Sequence, residues 1–369
     1  MSAWVVASNV VSPLGMTSEE NYAKIRKQIS GLSTFSNKHF SNHPIHAGYI
    51  DDRDSASEGT RFERLCRKAT NEALRNKELN RDKTLYILST TKGNIELLND
   101  ENGTSVLSLS GTAKQLAAEI GVSDSLVISN ACISGVMALI VGKRFLDSKK
   151  YDHVIVVGAD VLSHFVISGF ESLKALSPDP CRPFDALRNG INLGEAASVI
   201  ILSAKPEPLA GKMAIKITGG GLSNDANHIS GPSRTGEELK MAISKSLKEA
   251  GKSPIEIDFI SAHGTATIFN DEMEAKAFNL MKMETLPLHS LKGYFGHTLG
   301  AAGVVESAMS IQSLLNNEII TSKGYERSGV SLPVNVCTEL ISKELTTCIK
   351  TASGFGGCNA AIVFQKEYV

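Results

Sequence analysis

The feature that most constrains this chain is an alternation. Eight short apolar runs, at residues 4–7, 84–88, 126–128, 154–158, 197–202, 214–218, 259–262 and 361–364, are separated by longer amphipathic segments. Runs this short and unbroken read as strands buried on both faces, with the intervening segments as helices that cover them. Helical apolar spacing occupies residues 62–76, 112–120, 133–148, 237–250 and 300–316, and Thr17 with Glu20 predicts a capping box opening a helix that reaches about residue 30. An α/β protein with helices over mostly parallel sheets follows. The Pro-rich stretch KPEPLAG at 205–211 is the one strong boundary, which predicts an N-terminal half at 1–205 and a C-terminal half at 206–369.

Composition removes several classes of function. A hydrophobic fraction of 42% and a charged fraction of 21% exclude a disordered or collagen-like chain. With 38 Lys+Arg against 39 Asp+Glu, no global field favours nucleic acid or an anionic membrane. Six scattered cysteines without a C-x-x-C pair argue against a disulfide scaffold or a zinc ribbon. The opening MSAWVVASNVVSPLG has no basic n-region, and no stretch reaches about 18 uninterrupted apolar residues, so a cytoplasmic protein is expected.

Both halves carry one device: a strand, a turn bearing a polar reactive residue, then a helix that begins with small residues. The two copies are LVISNACISGVMALIVG and PLHSLKGYFGHTLGAAGVVESAMSI. Ser134 and Gly135 in one, and residues 300–303 in the other, would let the two helices approach closely; tight helix-to-sheet packing would use the same residues. Cys132 stands where a strand gives way to a helix, whose N-terminus would stabilise a thiolate and lower its pKa. Its other reading is a small buried hydrophobe. His263 follows a strand in a polar turn with Gly264, Thr265 and Thr267, and His297 opens a helix whose positive end disfavours imidazolium. The turn GFGGCNA at 354–360 either needs positive φ or presents N–H groups to an oxyanion. The chain lacks G-x-G-x-x-G, a P-loop and H-E-x-x-H. One Cys, two His and a glycine turn point to acyl transfer through a thioester.

With VVSPLG (10–15), NACISG (130–135), RPFD (182–185), GEAASVIIL (194–202), HGTATIFND (263–271), KGYFGHTLGAAG (292–303) and GFGGCNA in collinear order, the chain resembles the β-ketoacyl-acyl carrier protein synthases, decarboxylating condensing enzymes of the thiolase superfamily. The resemblance implies the thiolase-like fold: duplicated halves, each a five-stranded sheet, in five alternating layers (αβαβα) with two central helices. It also implies Cys132 as nucleophile, His263 and His297 as catalytic histidines, Lys292, Asp271, Glu274 and Glu306 as supports, and Thr265 and Thr267 as substrate-binding. Phe355 matches the gating phenylalanine, its N–H forming an oxyanion hole with that of Cys132. No metal or permanently bound cofactor is implied beyond the phosphopantetheine arm of an acyl carrier protein.

Asn130 stands where Thr or Ser is common and Gly293 where Ser or Thr usually follows the lysine; neither replaces a catalytic side chain. The stretch 93–130 is shorter than usual, which makes a heterodimer with a chain-length-factor-like subunit as credible as a homodimer. Arg61, Arg64, Arg67 and Lys68, on one predicted helix, form a candidate docking cluster for the acidic carrier. His297 speaks against a chain-initiating synthase, the Lys292/His297 pair with Phe355 against a thiolase, and Cys132 against a noncatalytic chain-length subunit.

Overall fold

The computed structural model describes residues 3–37, 40–51, 58–98, 108–226 and 231–369. Five strands build the N-terminal half: β1 (Ala3–Val11), β2 (Thr84–Ser89), β3 (Asp124–Ile128), β4 (His153–Asp160) and β5 (Ala196–Ser203). Five more build the C-terminal half: β6 (Met213–Asn224), β7 (Phe259–Ser261), β8 (Pro287–His289), β9 (Thr347–Gly354) and β10 (Cys358–Tyr368). Their spatial orders, β1-β5-β4-β2-β3 and β6-β10-β9-β7-β8, are the same topology written twice. In each half the first two pairings are antiparallel and the last two parallel. The sheets are thus mixed, not mostly parallel. A strand buried on both faces shows the same apolar run in either direction, so the pattern carried no information about orientation.

Residues 3–5 of β1 pair antiparallel with 215–217 of β6. That contact joins the halves into one 11-stranded sheet, whose extra strand is Asn335–Val336 beside β8. The helices are α1 (Ser18–Arg26), α2 (Arg61–Leu74), α3 (Leu109–Glu119), α4 (Ser134–Asp147), α5 (His164–Ser172), α6 (Glu237–Ala250), α7 (Ile268–Leu280), α8 (Lys292–Phe295) and α9 (Ala302–Asn316). Phe62 and Leu65 of α2 and Leu116 of α3 pack on Tyr86, Ile155 and Val157 of the first half. Leu239 and Ile243 of α6 and Phe278 of α7 pack on Ile260, Ile349 and Val363 of the second. Between the halves lie α4 and α9, whose Val136, Leu139, Val304 and Met309 share a core with Ile200 and Ile362. The five layers are therefore α2/α3, sheet, α4/α9, sheet, α6/α7, as the thiolase-like fold requires.

Small residues decide how near the central helices come. A Cβ on Gly135 would lie 2.7 Å from the Val304 nitrogen, and one on Gly303 would lie 2.4 Å from the Val136 nitrogen. Backbone meets backbone here, so neither partner can yield by a rotamer change. Gly303→Val is expected to destabilise the chain by about 3 kcal/mol or more, the upper end for overpacking. Urea unfolding measures it, and an unchanged midpoint would contradict the close contact.

The N-terminal helix departs from expectation. Thr17 accepts from the Glu20 N–H at 3.2 Å, but the Glu20 carboxylate takes the Met16 N–H at 2.7 Å, so only half of the capping box forms. Helix α1 ends at Arg26 because Gln28 turns the chain with φ at +58°. Among the described residues, no helix is long and apolar enough to cross a membrane.

Candidate active site

After β3 the chain reverses through Ala131, whose φ of +45° is a strained value for a residue with a Cβ. Ser134, first residue of α4, locks that turn: its Oγ accepts from the Asn130 N–H at 2.8 Å and donates to the Ala131 carbonyl at 2.6 Å. From the far side, the Cys358 thiol donates to the carbonyls of Phe355 at 3.4 Å and Asn130 at 3.8 Å. Cys358 thus holds two turns together. Cys132 projects from the strained turn and is buried. Burial pushes its thiol up to about 12, while the Lys292 ammonium and the Phe355 N–H pull the other way. The helix N-terminus therefore does not leave Cys132 a resting thiolate: desolvation outweighs it, and the group rests as a thiol.

His263 leaves the end of β7 in a loop fastened by carboxylates. Glu274 accepts the N–H groups of His263 at 2.9 Å and Gly264 at 2.6 Å, and Asp271 accepts those of Thr265 at 2.9 Å and Phe184 at 2.7 Å. Both acids stand on α7 and bind backbone, so they orient the loop. Asn270 donates to Asp271 at 3.2 Å and to Glu274 at 2.9 Å, which eases their mutual repulsion. Burial and the neighbouring Asp271 raise the Glu274 carboxyl to about 7.

Lys292 of α8 is fully buried; its Nζ lies 2.6 Å from Glu306 Oε1 and 3.4 Å from His263 Nδ1. An ammonium has no lone pair, so Nδ1 must accept, and the imidazole proton resides on Nε2. His297 follows α8 directly and precedes the 3₁₀ turn Leu299–Ala301, which separates it from α9. Neither of its ring nitrogens has a hydrogen-bond partner among the described residues. The two imidazole centroids are 5.2 Å apart with planes at 80°. Both rings are held well below the usual histidine range, first by burial and then by the charges of Lys292 and Lys350. The direction expected for His297 is thus observed, but its cause is burial and two lysines rather than a helix terminus.

Cys132 Sγ and the ring nitrogens of His263 and His297 lie within 4.8 Å of one another. They form the floor of a cavity of about 460 Å³, also lined by Thr265, Thr267 and Phe355. The two threonine hydroxyls are bonded to each other at 2.8 Å. Phe355 sits in the β9–β10 turn, where Gly356 and Gly357 take φ of +84° and +75°. It is 41% exposed and stacks on Phe170 of α5 at 5.9 Å, a partner no sequence motif announced. Cys, His and His at this spacing could ligate a soft cation, but the two buried ammoniums beside them oppose one.

The proposed basic docking cluster is not at this cavity. Arg61 is ion-paired to buried Glu195, and Arg67 binds Glu119 bidentately with both contacts at 2.7 Å. These guanidiniums are spent within the first half. Among the described residues, the basic side chain that lines the cavity is Lys174.

Residues 3–207 match the family model described as "Beta-ketoacyl synthase, N-terminal domain", and residues 214–326 match "Beta-ketoacyl synthase, C-terminal domain". The chain belongs to the beta-ketoacyl synthase family. A similar curated protein is the 3-oxoacyl-[acyl-carrier-protein] synthase 2 of Rhizobium meliloti, 30% identical over 65% of this chain and 60% of that protein. The match thus spans about 60% of that relative's length. Among solved structures, a chain of the ketosynthase (ApeO) in complex with its chain length factor (ApeC) from Xenorhabdus doucetiae superposes with a TM-score of 0.87 at 27% identity, covering 99% of this chain and 98% of that one. A chain of a type II PKS acyl-carrier protein complex with its ketosynthase superposes with a TM-score of 0.85 at 22% identity, covering 99% of each, and shares the fold.

Proposed function

We propose that this chain is a β-ketoacyl-acyl carrier protein synthase acting in fatty acid or polyketide synthesis, aryl polyene pigments included. The observation that carries this reading is the convergence of Cys132 Sγ with two neutral imidazoles at the floor of a substrate-sized cavity. Because Cys132 rests as a thiol, a neutral histidine takes its proton as the sulfur attacks an acyl thioester on the carrier; the carrier thiol leaves and is reprotonated. The N–H groups of Cys132 and Phe355 serve as the oxyanion hole. A malonyl thioester then loses carbon dioxide, and its enolate oxygen is met by the Nε2–H of His263, with His297 beside it. The enolate carbon attacks the acyl-Cys132 carbonyl, the C–S bond breaks, and the sulfur takes up a proton from solvent, the first having left on the carrier thiol.

In this reading the carrier's phosphopantetheine arm enters past Thr265 and Thr267, Phe355 gates the entrance, and the protein needs no resident cofactor or metal. The two halves, meeting at 205/206, supply nucleophile and histidines respectively. All six cysteines are unpaired, which fits a cytoplasmic, reducing compartment. The test offers the purified chain a panel of acyl carriers followed by malonyl carrier. An acyl adduct on the Cys132 peptide and release of β-ketoacyl carrier are expected; no adduct from any carrier would refute the reading.

One feature favours assembly as well. Among the described residues strand β3 ends the sheet and pairs only with β2, leaving Leu126 and Ile128 half-buried beside Met137 and Val141 of α4. A second copy, or a chain-length-factor-like subunit such as the one that accompanies ApeO, would cover this edge. The stretch 93–130 that prompted the second option lies partly outside the described residues. Light scattering after size exclusion is expected to show a dimer; a monomer that condenses at full rate would exclude both forms.

A further inference from the structure

Lys350 has no part in the steps above, and no motif singled it out. It lies at the centre of β9 and is fully buried. Its Nζ is 2.6 Å from Glu306 Oε2, while the other oxygen of that carboxylate holds Lys292, also at 2.6 Å. The same ammonium donates to the carbonyls of Thr351 at 2.6 Å, Ala262 at 3.1 Å and Ser261 at 3.3 Å. Ser261 and Ala262 are the two residues that precede His263.

The geometry points to Lys350 as a positioning residue of this site: its ammonium clamps the strand end that delivers His263 and places a second positive charge beside both imidazoles. The inference rests on the acyl-transfer reading. A buried ammonium is costly unless it is paired and fully bonded. Lysine at this place is therefore unlike an apolar side chain of equal length, which would fill the space without that cost. What the charge accomplishes follows from its neighbours. The groups that face the imidazoles are Cys132 before α4, Lys292 on α8, Glu306 on α9, Lys350 on β9, and Asp271 and Glu274 beneath the His263 loop, with His289 on the adjacent strand. Two cations share one carboxylate, so the Lys292/Glu306/Lys350 group is net positive. Burial would raise the Glu306 carboxyl, but the two ammoniums hold it below the usual range, so it stays ionised. A net positive group in a dry site opposes imidazolium and keeps both rings neutral, each able to donate one proton to a developing enolate. It also lowers the energy of that enolate directly.

The test reads the charge without turnover. Histidine side chains are labelled with ¹⁵N and titrated by NMR in the full chain, with His263 and His297 assigned from the spectra of their alanine variants. In the parent, both rings are expected to titrate well below the usual histidine range, held there by burial and then by the nearby ammoniums. In Lys350→Met their midpoints should rise by about one unit or more. Lys350→Gln, which keeps a donor for the two carbonyls, carries the same test should the methionine chain not fold. In the double variant Lys350→Met/Glu306→Gln, one cation and one anion are removed together, and the midpoints should return toward the parent's. Malonyl-carrier decarboxylation should follow: flat from about pH 8 to 6 in the parent, with its acid limb displaced to higher pH in the single variants in step with the NMR midpoints. Midpoints identical in the parent and both single variants would overturn the inference. A parent that releases no carbon dioxide but shows the expected titrations would refute the synthase reading instead and leave the charge assignment standing.

Discussion

Cys132→Ala is expected to form no acyl-enzyme from any carrier and to lower β-ketoacyl product by roughly 10⁴-fold or more, as loss of a covalent nucleophile does. Decarboxylation of malonyl carrier should survive, within about tenfold, because the enolate is met by imidazole N–H groups and not by sulfur. Intact mass and carbon dioxide release separate the two steps. The buried thiol adds a pH signature. With its pKa pushed up to about 12, the thiolate fraction of Cys132 grows about tenfold per unit throughout the neutral range. Alkylation by iodoacetamide should therefore still be climbing at about pH 9, whereas a plateau near pH 7 would reveal a depressed thiol. Product from the alanine variant would show that Cys132 is not the nucleophile.

His263→Ala and His297→Ala are each expected to slow decarboxylation by roughly 10²–10³-fold, the loss typical of one oxyanion-hole donor. Acylation of Cys132 should continue in either single variant, since the remaining neutral imidazole lies within 4.8 Å of the sulfur and can take its proton. The two replacements are not equivalent in origin. His263 is fixed in one tautomer by Lys292, whereas His297 keeps both ring nitrogens unpartnered among the described residues. Asparagine at 297 should then preserve more activity than asparagine at 263, because an amide donor can stand where the free ring donates. Decarboxylation at the parental rate in both alanine variants would show that the enolate is stabilised elsewhere.

The local pattern carried much of this architecture. Strands β1, β4 and β5 and helices α4, α6 and α9 arise where apolar runs and helical spacing place them, since burial on both faces or on one stripe leaves a direct mark on residue order. The glycines at 135 and 303 announced a close helix contact because nothing larger fits between two backbones. Other elements left no such mark. Strand β9 passes unrecognised because Lys350 sits at its centre, and a buried lysine is indistinguishable in sequence from an exposed one. Helix α7 escapes because its buried face carries the polar Asn270, Asp271 and Glu274 while the apolar Ile268, Phe269 and Leu280 are exposed, so apolar order and burial do not coincide.

The sequence by itself marked the residues to which the proposed chemistry is assigned. Cys132, His263, His297, Lys292, Asp271, Glu274, Glu306, Thr265, Thr267 and Phe355 lie in or beside motifs whose composition is legible locally and which follow in one order. Only the tertiary structure decided what state those residues occupy. The thiol is raised rather than lowered, the histidines are neutral because of burial and then two lysines rather than a helix end, and Arg61 and Arg67 of α2 are consumed by Glu195 and Glu119. The physical reason is that charge and protonation depend on distance and burial in three dimensions, and groups such as Arg26 and Glu318, 292 positions apart in the chain, meet in the fold.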